Sequence, residues 1–288
     1  LWKISGNGLS HPSYLFGTYH GTYDILYQYT DSIPELHQAF NACSQFAGES
    51  ETTSKPTPAQ VGAAIKLPKD TTYADLLNKE DFHFLDSIVR QSLKSPLNKM
   101  YIKPNFLALI LGEIEKGKKL VDTGYSQSRI DSMKSQVMDI ALEKKAKEKG
   151  LTIVGLEDIF DAFVSEKSNL KKEADELISD LREDDEISPL SFVNTLSDVY
   201  RTQNMKSLID FEVKVDSIFR TSPKLTEIGK RIREDLLKRR NLNWMNKIPE
   251  LMKAQPTFIA VGVRHLPGKD GLIALLLEKG YQVEPIGL

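Results

Sequence analysis

Cysteine is almost absent from this chain: Cys43 is the single one in 288 residues. That excludes an intramolecular disulfide and any cysteine-rich metal site. The neighbours of Cys43 in "FNACSQFAG" mark it as a small buried residue rather than a reactive thiol. Long apolar runs are missing as well, and none approaches the roughly 20 residues that span a bilayer, so no transmembrane span is expected. Charge of one sign is not in excess: a net charge of -2 leaves no electrostatic footprint for nucleic acid. Linkers rich in Pro, Gly and Ser, low-complexity tracts and fixed-period repeats are also lacking, which argues against a string of separate modules. What is present is an ordinary globular composition, 40% hydrophobic and 27% charged. At this length a compact fold buries about 75% of the unfolded surface, so a sizeable core is available.

The clearest local pattern lies near the end. After Pro256, Phe258 to Val263 is a continuous apolar run, which predicts a strand covered on both faces, as in a parallel sheet. The turn "GVRHLPGKDG" follows, then a Leu-rich helix over 272–279 stopped by Gly280, and a further strand over 281–286. The segment 264–280 is long enough for a crossover between parallel strands. His265 therefore stands just past a strand's carboxyl end, where an open α/β sheet binds its ligand. At the other end of the chain, "LWKIS" and "YLFGTYH" can pair as a hairpin across a Gly-containing turn, and a short helix over 32–41 leads to "SQFAGESE". "QVMDIALEKKAKEKG" predicts an amphipathic helix ending at Gly150, followed by the strand "LTIVGLE". The regions between are helical, and mixed charges such as "SEKSNLKKEADELISDLREDDE" read as solvated faces. The expected architecture is an α/β fold with a central mixed, largely parallel sheet, flanking helices and an inserted helical cap. We expect one domain over 1–288, its α/β core drawn from 1–55, 135–165 and 235–288, with helical insertions at 56–134 and 166–234.

Four apolar runs each deliver a chemically capable residue at their end: "YLFGTYH" His20, "QFAGE" Glu49, "TIVGLE" Glu157 and "FIAVGVRH" His265. If these strands run in one sense in one sheet, their ends converge. Two imidazoles and a carboxylate then suit a divalent metal with room for water, and such an ion suits hydrolysis. Both histidines close a G-x-x-H pattern, at 17–20 and 262–265, in a chain with five histidines. Glycine there permits close backbone approach or a positive φ. Each residue also has a plainer reading. A strand-end histidine is ordinarily hydrogen-bonded structure. Glu49, followed by Ser50 and Glu51, can face water or cap a helix, and Glu157 can be the first-turn acid of "DIFDAF". Asp24, four residues after His20, is a reserve ligand.

With "LWKISGNGLSHPSYLFGTYH", "FAGESE", "MDIALEKKAKEKGLTIVGLE", "RRNLNWMNKI" and "FIAVGVRHLPGKDGLIALLLEKGYQV" in view, the chain resembles the TraB/GumN family. That family includes the TIKI proteases and is distantly similar to the erythromycin esterase and ChaN-like proteins. The resemblance implies that His20, Glu49 and His265 belong to an active site as metal ligands, with Arg240 of "RRN" beside them as a catalytic group together with Glu49. Arg240 enters through the resemblance alone, because "LLKRRN" by itself reads as a solvated helix; its implied task is to stabilise an oxyanion. Glu157 is the candidate for orienting a ligand histidine. TIKI members look like manganese- or cobalt-dependent proteases, erythromycin esterases open a lactone with an activated water, and the ChaN-like branch is associated with haem. Many bacterial relatives are exported, which fits a chain that opens at "LWKISG" without methionine after loss of a signal. The expectation is thus an extracytoplasmic hydrolase that uses a divalent ion, Mn, Co or Zn, on a peptide or small ester substrate. The alternatives are an esterase or lactonase, or a haem- or small-ligand-binding protein using the same cleft. An interaction module built on the charged helices would leave the paired G-x-x-H patterns unexplained.

Overall fold

Alternation along the strands determines where the core sits. In the computed structural model, which describes every residue except 20–32, 52–56, 123, 125, 127, 129–136, 159–169, 183–195 and 288, the described strands form one sheet. They are β1 (Trp2–Gly6), β2 (Ser13–Thr18), β3 (Gln45–Gly48), β4 (Thr152–Gly155), β5 (Thr257–Gly262) and β6 (Tyr281–Pro285), in the spatial order β4-β3-β5-β2-β1-β6. β4, β3, β5 and β2 are mutually parallel neighbours, while β1 runs antiparallel to both β2 and β6. The sheet is mixed and mostly parallel, as the apolar runs predict. The terminal hairpin pairs Trp2 with Leu15 and Ile4 with Ser13.

β5 lies between β3 and β2 and is buried from Thr257 to Val261. Its side chains alternate between two cores. Ile259 and Val261 join Ile4, Leu15, Ala47, Trp244, Ile248, Leu272 and Leu276 on one face. Phe258 and Ala260 join Phe16, Phe40, Phe46, Met138 and Leu142 on the other. Full burial of each large apolar side chain contributes about 1.5–3 kcal/mol, which is why a central strand exposed on neither face can be apolar throughout. Cys43 is buried in the second core, and burial pushes its thiol up to about 12, so it stays protonated and inert as expected. β5 stops at Gly262, one residue short of the apolar run, because Val263–His265 coils into a 3-10 turn.

Two compact units divide the chain. The sheet unit comprises Leu1–Ser54, Met133–Ala162 and Ile187–Leu288. The helix Met138–Glu148 covers the second core, and Gly150, at a φ of 74°, ends it and turns the chain into β4. The helix Leu272–Glu278 covers the first core, and Gly280 performs the same turn before β6 at a φ of 86°. The second unit, Lys55–Ser132 with Phe163–Glu186, is helical, with a core of Leu67, Tyr73, Leu85, Val89, Leu97, Leu107, Ala174 and Leu177. Its helix Lys79–Leu93 starts at Asn78, whose side chain accepts from the Asp81 amide at 2.9 Å. Among the described residues no helix is long and apolar enough to cross a membrane.

Candidate functional site

Four adjacent parallel strands must end on the same edge of the sheet, and three of those ends carry described polar residues. Glu49 follows β3, Glu157 follows β4 and His265 follows β5, all within the sheet unit. His20, at the end of β2, and Asp24 lie outside the described residues. The last described residues of that strand are well held: Thr18 donates to Asp139 Oδ1 at 2.7 Å, and Tyr19 is buried and stacks on Tyr200 at 5.2 Å between ring centroids.

Close approach, rather than positive φ, explains the glycines of both G-x-x-H segments. The Gly262 amide donates to Glu49 Oε1 at 2.7 Å, and a Cβ on Gly262 would stand 3.1 Å from that oxygen. A Cβ on Gly17 would stand 3.0 Å from Val263 Cγ2 and 3.2 Å from Leu266 Cδ2, so the first glycine makes room for the turn that carries His265. The turn is also held from outside. Val263 packs against Leu208, Phe211 and Val215, and Arg264 makes a two-pronged ion pair with Glu212 at 2.6 and 2.8 Å.

Arg240 sits at the centre of the site. The helix Pro223–Arg231 passes through a π-helical segment, Ile232–Lys238, into the helix Arg239–Trp244. The wider π turn falls immediately before Arg239 and Arg240 and sets their facing. The Arg240 side chain is only 13% exposed. Its Nε donates to Glu157 at 3.0 and 3.1 Å, and its Nη2 donates to Glu157 Oε1 and Glu49 Oε2, each at 2.5 Å. Nη1 lies 3.2 Å from His265 Nε2. Trp244 forms the floor: its ring centroid is 4.7 Å from the guanidinium carbon and 4.5 Å from the His265 ring, and its indole N–H donates to Glu157 Oε2 at 3.0 Å. Glu157 therefore orients Arg240 here, through a carboxylate shared with Trp244.

His265 is 4% exposed, and Asn241 fixes its tautomer. The Asn241 amide nitrogen donates to the carbonyls of His265 at 3.1 Å and Asp270 at 2.8 Å. Its Oδ1 must then be the atom 2.7 Å from His265 Nδ1, so Nδ1 carries the hydrogen and donates. In the neutral ring the lone pair is on Nε2, which faces Arg240 and lies 3.9 Å from Glu49 Oε1. A histidine fixed through Nδ1 and presenting Nε2 is the arrangement that suits a metal ligand. Two atoms each bonding one ion at about 2.0–2.2 Å can be at most about 4.4 Å apart, so His265 Nε2 and Glu49 Oε1, 3.9 Å apart, meet the distance condition for sharing a divalent ion. Among the described residues no group of three or more His, Cys, Asp or Glu is placed to hold a metal, and His20 lies outside that set.

Burial pushes the Glu49 carboxyl up, but the neighbouring His265 ring and Arg240 guanidinium and the bonds from Gly262 and Arg240 outweigh it and hold it below the usual carboxylate range. Burial pulls the Arg240 guanidinium down, while Glu157 and Glu49 raise it further, so it remains charged. Because Glu49 ionises more readily folded than unfolded, its stabilising contribution is complete above the ordinary glutamate range. That contribution fades as pH falls through the range toward the folded value. The stability difference between the parent and Glu49→Gln is accordingly expected to be largest near neutral pH and to shrink as pH falls below about 5 in urea titrations. A difference that stays constant across that range would assign the acid sensitivity to other carboxylates.

Asn241 and Trp244 are absent from the expectations drawn from the sequence. A signal for them existed: Asn241, Trp244, Met245 and Ile248 are spaced as one buried helical stripe, and Arg240 borders it. A model of the TraB/PrgY/gumN family matches residues 1–285. Searches of curated proteins and of solved structures returned no match.

Proposed function

The chain belongs to the TraB/PrgY/gumN family, and on that premise we propose that it is a hydrolase that works with a divalent metal ion and cleaves peptide bonds. The observation that carries this reading is the His265 Nε2 lone pair, fixed by Asn241 and lying 3.9 Å from an ionised Glu49 carboxylate, with a buried guanidinium against both. A pocket that only holds a ligand needs binding groups and apolar walls, whereas buried charges converging on one point suit a reaction that develops charge.

In this reading His265 through Nε2, Glu49 through its carboxylate and His20 hold the ion, which would be Mn, Co or Zn. When bound, the ion lowers the pKa of its water toward neutrality and polarises the substrate carbonyl. Glu49 stays ionised, which suits a ligand, and its carboxylate would also be the proton acceptor of the site. Arg240 supplies fixed positive charge beside the carbonyl oxygen. Glu157 and Trp244 hold that guanidinium in place, and Asn241 keeps the imidazole in the ligating tautomer. An extracytoplasmic location belongs to the same proposal and rests on the family resemblance.

The test is a screen of the parent protein against a peptide library and a lactone panel, before and after chelation. Turnover of a peptide is expected, lost on chelation and restored by Mn, Co or Zn. Undiminished turnover in chelator would remove the ion from the reading. Lactone cleavage without peptide cleavage would change the substrate class, and tight binding of haem or a small ligand without turnover would replace the hydrolase with a binding protein.

A further inference from the structure

The Arg240 guanidinium has five N–H bonds, and the contacts made to it account for them: Nε–H is taken by Glu157, the two on Nη2 by Glu157 and Glu49, and those on Nη1 by His265 Nε2 and the Leu236 carbonyl. In this arrangement no N–H is left for negative charge on a substrate oxygen. The bonds are unequal. Those of Nη2 run to two carboxylates, whereas those of Nη1, at 3.2 and 3.5 Å, run to an imidazole nitrogen and a peptide carbonyl. Nη1 is the branch that can be released. His265 Nε2 has one lone pair, so it accepts from Nη1 or bonds an ion, and it cannot do both.

We propose that Arg240 competes with a divalent ion for His265 Nε2 and the Glu49 carboxylate, and that an ion held there would displace Nη1 and free its N–H for the oxyanion. This rests on the reading of His265 and Glu49 as holders of a divalent ion. Loading and arming of the electrophile are then one event. A guanidinium beside a doubly charged ion also opposes loading by charge alone. Glu49 and Glu157 offset part of that repulsion while keeping Arg240 in reach, and each carboxylate is paired with it. The consequence is a pair of opposite effects at one residue: loss of Arg240 tightens the metal and slows the reaction.

Calorimetric titration of Mn²⁺ into the metal-free full chain, Arg240→Ala, Arg240→Lys and His265→Ala tests the proposal. Arg240→Ala is expected to bind Mn²⁺ about tenfold more tightly or better, from relief of charge repulsion and of competition for Nε2. Arg240→Lys keeps a positive charge near both glutamates but cannot hold two carboxylates and an imidazole together, so a gain of about threefold is expected. If Arg240→Ala does not fold, judged by its melting curve, Arg240→Lys decides alone. His265→Ala should lose binding. Equal or weaker affinity in the folded Arg240 variants, with the parent binding normally, overturns the competition but leaves the metal reading standing. Absence of binding in the parent and in the Arg240 variants overturns both.

Discussion

His265→Ala is expected to abolish hydrolysis of whichever substrate the parent turns over, lowering kcat/KM by about 10³-fold or more, the scale of several kcal/mol lost with an activated water. Metal binding should fall with it. The ring's two nitrogens have separate tasks. Nδ1 is committed to Asn241 Oδ1 at 2.7 Å, inside a residue that is 2% exposed and itself anchored to two carbonyls, so the ring cannot turn over to offer a different atom. Nε2 is the atom that faces the guanidinium and Glu49. Truncation removes this atom and leaves Glu49 and Arg240 paired to each other, a stable but unproductive arrangement. An ordinary buried histidine predicts the reverse: a loss of stability of roughly 0.5–3 kcal/mol with turnover per folded molecule preserved. Measuring kcat/KM together with the unfolding midpoint separates the two.

Arg240→Ala is the second large effect. It should lower kcat and kcat/KM together by roughly 10²–10³-fold, the scale for losing one oxyanion donor, because the missing interaction forms with charge that develops only in the transition state. Arg240→Lys should recover little. An ammonium offers three hydrogens from one nitrogen and cannot reproduce the planar fork that reaches Glu157, Glu49 and His265 in different directions. A solvated arginine would instead leave turnover intact and change stability by no more than about 0.5 kcal/mol. With its side chain 13% exposed and lying over Trp244, Arg240 is not such a residue. A parental rate in Arg240→Ala would leave the chemistry to Glu49, the histidines and the ion.

The sheet and the placement of Glu49, Glu157 and His265 at its edge were legible because apolar runs report burial directly; His20 lies outside the described residues. A strand such as Phe258–Val263 has no polar face to hide, and whatever follows it must emerge at the sheet's edge. The glycines of the two G-x-x-H segments were legible as a need for space, but not which space: Gly17 clears Val263 and Leu266, and Gly262 lets Glu49 reach an amide. Those are contacts between segments far apart in the chain, and local pattern carries no record of partners. The same reason hid Asn241. Its helix reads as charged and solvated, and its worth comes from carbonyls at His265 and Asp270 that the fold brings to it. The π-helical segment Ile232–Lys238 added a further obstacle, because it shifts the facing of everything after it away from the simple helical period. Glu157, expected from the sequence to orient a histidine, is paired in the structure with Arg240 and Trp244, a pairing that needs both the strand end and that helix in place.

On the proposed reading, residues from opposite ends of the chain hold one metal ion. The most direct measurement is calorimetric titration of Mn²⁺, Co²⁺ and Zn²⁺ into the metal-free parent and into a variant carrying both His20→Ala and His265→Ala. At least one ion should bind the parent with a stoichiometry near one, as expected for a single shared site, and the double variant should show no saturable binding. Unchanged affinity in the double variant would contradict the account, since the ion would then be held by groups other than the two histidines.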